Sequence, residues 1–237
     1  MSKYSLIYQI LEQPVIFIIN VLKGVFIVRR IIFLFLSLIL IPALTFASLP
    51  DFGTDGLKGL SEKQLKKINK GKILFSTKDK SAGEDGKKQS LIEAVLVFDK
   101  PVNETWELLA KTEDQIKYLK EIKEVNVIDQ NALENINEFK LKAVFFTLIY
   151  RVHHEFDKSN NYFHWTLDPN FKNDLADLKG FWKFYPYGEN KTLVRYGSNV
   201  SLKKVPDWVE ALFKKGGVKK SLKCVKKYVD SGGTWRK

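Results

Sequence analysis

Residues 147–167 read TLIYRVHHEFDKSNNYFHWTL, and the fold turns on this stretch. The even positions of its first half are Leu148, Tyr150, Val152, His154 and Phe156, and between them stand Arg151, His153 and Glu155. Side chains of a strand alternate between two faces, so the even positions share an inner face. A turn centred on Ser159-Asn160 sets His154 opposite Trp165 and Phe156 opposite Phe163. Both strands of this hairpin then present one apolar, aromatic face.

The same period continues downstream. Trp182 and Phe184 extend the inner face on a strand over 178–187, and Val194, Tyr196, Ser198 and Val200 extend it on 192–202. Gly188-Glu189-Asn190 is the turn between them. Upstream, strands are expected at 72–76, 90–99, 125–129 and 139–144, with a hairpin loop over 81–88. Helical spacing places short helices at 61–69, 101–110 and 113–119, the second with Val102, Trp106 and Leu109 on one side.

The chain ends in a basic amphipathic helix. Val205-Pro206-Asp207-Trp208 opens it, apolar residues from Val209 and Phe213 to Val229 recur every three or four positions, and Ser231-Gly232-Gly233 stops it. Gly216-Gly217 predicts a bend. The pattern as a whole reads as an α+β chain.

The full sequence of 237 residues is 45% hydrophobic and 28% charged, which excludes disordered and collagen-like classes. Cys224 is the single cysteine, so no intrachain disulfide forms. The net charge of +12 is concentrated at one end: residues 202–237 hold eleven basic and three acidic residues. Lys219, Lys220, Lys223, Lys226 and Lys227 make either a solvated face or a surface for anionic headgroups.

Residues 1–47 differ from the rest. Arg29-Arg30, an apolar run over 31–44 and the small-residue exit Thr45-Phe46-Ala47 form a signal-peptide pattern with cleavage near Ala47. A second apolar stretch over 4–28 leaves two readings. Either the pair is a membrane anchor, or translation begins near Val25 or Val28 and an ordinary signal peptide remains. The expected organisation is therefore a signal peptide or membrane segment over 1–47, an N-terminal extension with a short helix over 48–70, and one domain over 71–237. The mature chain is expected to be exported, periplasmic or extracellular, unless the N-terminal segment anchors it.

Four local patterns carry a family resemblance: Asp99-Lys100-Pro101-Val102, Leu178-Lys179-Gly180-Phe181-Trp182, Lys191-Thr192-Leu193-Val194-Arg195-Tyr196 and Val205-Pro206-Asp207-Trp208. In their order, from about Gly71 to Gly233, the chain resembles the START and polyketide-cyclase superfamily, and within it the coenzyme Q-binding START-type branch. The resemblance implies a helix-grip fold: a curved antiparallel sheet wraps around a long C-terminal helix, with two short helices after an early strand. It also implies a cavity for an apolar ligand. On that basis the expected ligand-binding residues are Tyr150, Val152, His154, Trp165, Trp182, Phe184, Tyr196, Ser198, Trp208 and Phe213. The lysine content and the two glycines of the final helix depart from the family pattern.

Alternation places His153 and His154 on opposite faces, so they do not converge on one metal ion, and no metal or cofactor is expected. Glu155 faces His164 across the outer face as an exposed ion pair, worth little. No nucleophile elbow, phosphate loop or HExxH signature is present, and no catalytic residue is assigned. The first functional reading is a monomeric binder or carrier of a hydrophobic small molecule, lipid or quinone-like, that contacts anionic membrane. A second is an interaction module resembling the ribosome-association toxins of the superfamily, with the basic helix on RNA; export disfavours nucleic acid. A third is a cyclase-type enzyme using His154.

Overall fold

The computed structural model describes residues 51–80, 89–143, 145–202 and 215–237. In chain order the elements are α1 (Glu62–Asn69), β1 (Leu74–Lys80), β2 (Gln89–Phe98), α2 (Val102–Ala110), a 3₁₀ turn (Thr112–Asp114) leading into α3 (Gln115–Tyr118), β3 (Ile122–Gln130), β4 (Glu134–Ala143), β5 (Phe146–Asp157), β6 (Tyr162–Leu167), β7 (Leu175–Pro186), β8 (Thr192–Leu202) and α4 (Lys215–Asp230). The segment 1–47, the loop 81–88, the Val205-Pro206-Asp207-Trp208 helix start and the side chains of Trp208 and Phe213 lie outside the described residues. Gly216 and Gly217 fall in the first turn of α4, so a bend there lies at the edge of what is described.

The eight strands form one antiparallel curved sheet in the order β1-β2-β8-β7-β6-β5-β4-β3. The chain leaves the sheet after β2, crosses its inner face as α2 and α3, and re-enters at the far edge with β3. Fold class and architecture are those expected. The β5–β6 register pairs His154 with Trp165, Glu155 with His164 and Phe156 with Phe163, as the turn at Ser159-Asn160 dictates. Asn161 closes that turn with φ 48°, a left-handed conformation that Asn tolerates.

Burial follows the alternation: Leu148, Tyr150, Val152 and His154 are buried, while Thr147 and Ile149 on the other face are exposed. The apolar stripe of α4 covers the inner face, burying Leu222, Val225, Tyr228 and Val229. Its C-terminal end is tied down by polar contacts. The Tyr228 hydroxyl donates to Asp114 Oδ2 at 2.7 Å, and Asp230 accepts the Asp99 amide at 2.9 Å. The helix stops where the Gly232 and Gly233 amides return to Val229 and Tyr228, each at 2.8 Å, with positive φ at both glycines.

A second core lies on the outer face. Ile68, Val95, Val97, Tyr185 and Leu193 are buried there, with Phe52, Leu57, Leu60 and Leu65 packed against them. Residues before Gly71, expected as an extension, thus cover β2, β8 and β7. Arg195 fastens them, donating to the carbonyls of Gly56 at 2.7 Å and Lys58 at 2.8 Å.

Candidate ligand cavity

Sheet, α3 and α4 enclose a cavity of about 240 Å³. It follows from strand chemistry and from one glycine. Inner positions of β5, β6, β7 and β8 supply Tyr150, Val152, Trp165, Trp182 and Tyr196, large groups that bridge strands. Gly180 on β7 has no side chain, and a Cβ there would sit 2.2 Å from the Trp165 ring. The indole therefore lies flat across the sheet instead of standing into the space. Trp182 and Tyr196 meet at 4.7 Å between ring centres and extend the same wall.

Seven of the ten residues expected at a ligand site border this cavity: Tyr150, Val152, His154, Trp165, Trp182, Tyr196 and Ser198. Phe184 does not, which corrects the expectation. It shares their face but meets Trp106 of α2 at 5.7 Å and Phe163 at 5.7 Å between ring centres, so α2 fills the space above it. Trp208 and Phe213 fall outside the described residues.

The helical and edge-strand wall was not foreseen. Leu109, Thr112, Gln115, Tyr118, Glu121 and Ile122 also border the cavity, and Phe139 and Leu141 of β4 extend the sheet wall beside β5. Phe139 and Leu141 carry a period-two signal that marks them as inner. Thr112 carries none, because its role depends on Asn135 and Asn137, two fully buried polar residues of β4 that donate amide hydrogens to its hydroxyl oxygen.

His154 is 4% exposed, and its Nδ1 has no hydrogen-bond partner among the described residues. Burial drives its pKa down from 6.5 to about 3, and repulsion from His153 and His164 adds to the fall. The imidazole is therefore neutral and keeps one free hydrogen-bonding position, whose burial unpaired costs about 1–3 kcal/mol. Burial also pushes Tyr150 up, and Tyr196 up to about 12, the latter partly offset by its hydrogen bond with Ser198. Among the described residues, no group of three or more His, Cys, Asp or Glu side chains is placed to hold a metal ion. His153 instead contacts Glu134 at 2.7 Å, and His164 contacts Glu155 at 3.2 Å, both on the outer face.

The five lysines expected to form one basic surface do not act alike. Lys219, Lys220, Lys223 and Lys227 are exposed. Lys226 is not: its side chain is 17% exposed, pairs with Asp230 at 2.7 Å and Asp99 at 3.6 Å, and donates to the Val97 carbonyl. It is a clamp between α4 and β2, a correction that helical spacing alone could not supply. Lys220 stands at the exposed end of the cavity, 3.7 Å from Glu121.

No family model and no curated protein matches the sequence significantly. Solved structures do match the fold. TTHA0849 of Thermus thermophilus is 21% identical, with a TM-score of 0.51 over 61% of this chain and 99% of that one. The Zhui aromatase/cyclase of a Streptomyces species is 11% identical, with a TM-score of 0.51 over 60% and 94%. A STAR-related lipid transfer protein of Xanthomonas axonopodis, fragment 25-204, is 12% identical, with a TM-score of 0.51 over 65% and 98%. The chain has the helix-grip fold of the START and polyketide-cyclase proteins. The coenzyme Q-binding branch is not represented among these three structures.

Proposed function

We propose that this chain binds a hydrophobic small molecule, a lipid or quinone-like compound, in the cavity between sheet and α4. One observation carries the reading. A space of about 240 Å³ stays open among the rings of Tyr150, Trp165, Trp182 and Tyr196, while the same inner face is fully packed under α2 at Phe184. Water in so apolar a space finds few partners, whereas an apolar guest gains about 25 cal/mol for each Å² it buries. A lipid transfer protein with this fold supports the same ligand class. A cyclase-type enzyme using His154 is less well supported, because an imidazole held near pKa 3 accepts a proton poorly at neutral pH. The RNA reading loses Lys226, which is bound to Asp99 and Asp230.

The membrane is the proposed source and acceptor of the ligand. Phe145, 96% exposed, tips the β4–β5 turn, next to Lys142, whose amide donates to the Glu121 carbonyl at the exposed end of the cavity. Exposed Lys219, Lys220 and Lys223 flank that end. An apolar tip with lysines beside it suits an anionic bilayer surface. Export rests on the signal pattern of residues 1–47: N-terminal sequencing is expected to find Ser48 or a close neighbour, and a retained Met1 in a membrane fraction contradicts it.

Native mass spectrometry of the purified protein tests the binding reading. A mass excess that disappears on extraction with organic solvent is expected. A protein at its bare sequence mass that takes up no lipid or quinone offered to it overturns the proposal.

A further inference from the structure

The two ends of the cavity differ in their polar groups. At the exposed end they are charged and paired, Glu121 with Lys220 at 3.7 Å. The other end lies further along β5, whose cavity-lining residues run four positions from Tyr150 to His154, about 13 Å. Its groups carry no charge. His154 Nδ1 is buried without a partner among the described residues. Thr112, 2% exposed, borders the same cavity, and its oxygen accepts the amide hydrogens of Asn135, at 3.0 Å, and Asn137. Asn135 is also the cross-strand partner of His154, which places the two hydroxyl- and imidazole-bearing side chains around one spot. With both lone pairs of its oxygen occupied, Thr112 has only its hydroxyl hydrogen left to give, and among the described residues its hydrogen-bond acceptor is Asn135 Oδ1 at a long 3.4 Å.

Resting on the proposal that the cavity holds an apolar guest, the geometry points to a ligand with an uncharged oxygen-bearing head, a hydroxyl or a carbonyl, seated against His154 and Thr112. Its apolar body lies along Trp165, Trp182 and Leu178 towards Lys220. A hydroxyl head accepts from Thr112 and donates to the imidazole; a carbonyl head accepts from both. Carboxylates and phosphate esters are excluded from this end. Lys220 is the only lysine or arginine among the described residues that border the cavity, and an anion brought to His154 loses its hydration with no cation among those residues beside it.

Titration of the full chain with decanol, methyl octyl ketone, decanoate and decane, read by tryptophan fluorescence, tests the assignment. Decanol and the ketone are expected to bind at least about ten-fold more tightly than decanoate. His154→Phe is expected to weaken both about ten-fold, and Thr112→Val several-fold, relative to the affinity of the same variant for decane, whose binding reports that the cavity is intact. Where His154→Phe fails to fold, Thr112→Val carries the test alone. Decanoate binding as tightly as decanol, or decanol affinity untouched by the substitutions, overturns the head-group assignment and leaves the cavity reading standing. If none of the four probes binds, the cavity reading itself falls and this assignment with it.

Discussion

The two faces of the sheet solve the same burial problem with opposite results. On the outer face, the segment before β1 presses Phe52, Leu57 and Ile68 onto Val95, Val97, Tyr185 and Leu193 so closely that a Cβ on Gly56 would meet the Tyr185 ring at 2.5 Å. On the inner face, α4 covers similar apolar side chains yet leaves about 240 Å³ unfilled. The sequence can evidently pack this sheet to completion, and does so on one side. The opening on the other side reflects the placement of rings that span it rather than a shortage of apolar residues. It also concentrates neutral polar groups at one end, which a filler-only core would have no reason to hold.

The comparison breaks most readily at Gly56. Its φ of 75° suits glycine, and any side chain there meets Tyr185 and Leu193. Gly56→Val is expected to cost about 3–4 kcal/mol in denaturant unfolding, by strain and overpacking, while the affinity of the surviving folded protein for an apolar probe stays unchanged. A matched pair of substitutions sharpens the contrast. Val97→Phe on the outer face is expected to destabilise by about 2 kcal/mol, whereas Val152→Phe, which grows into the open space, stays within about 1 kcal/mol of the parent and abolishes probe binding. Equal destabilisation by the two would mean that the inner space is not open.

The buried histidine gives the inner face its own pH signature. Because His154 is neutral in the folded protein down to about pH 3 but protonates near 6.5 when unfolded, acid favours the unfolded chain. Its stabilising contribution is complete above pH 6.5 and is lost as pH falls, by up to about 1.4 kcal/mol per unit, and this begins before carboxylates titrate. Urea midpoints measured from pH 7 to pH 5 are expected to fall in the parent and to fall less steeply in His154→Gln. The smallest effect is expected at the clamp: Lys226→Met, which releases Asp99 and Asp230, costs about 1 kcal/mol in the same assay, against nothing measurable for Lys223→Met on the exposed face.

Most of the architecture was legible because a half-buried antiparallel strand writes its two faces into alternate residues. The 147–167 hairpin yields its register from the turn at Ser159-Asn160, and the last two strands share its period. Alternation reports which way a side chain points, but not what lies opposite. Phe184 points inward as expected, yet it meets Trp106 across α2 and not the cavity. Lys226 lies among lysines that look alike on a helical wheel, and only the approach of Asp99 from the end of β2 makes it a clamp. The outer layer was missed because Phe52, Leu57 and Leu60 follow no regular period. Thr112, Asn135 and Asn137 were missed because polar residues in a lone sequence read as solvent-facing until a fold buries them together.

The most direct trial of an open inner face is solution NMR of the protein saturated with decane. Nuclear Overhauser contacts from the probe to the methyl groups of Val152, Leu178, Leu222 and Val225 are the predicted result. Contacts confined to exposed apolar residues such as Leu133 and Val127, or no contacts at all, would contradict it.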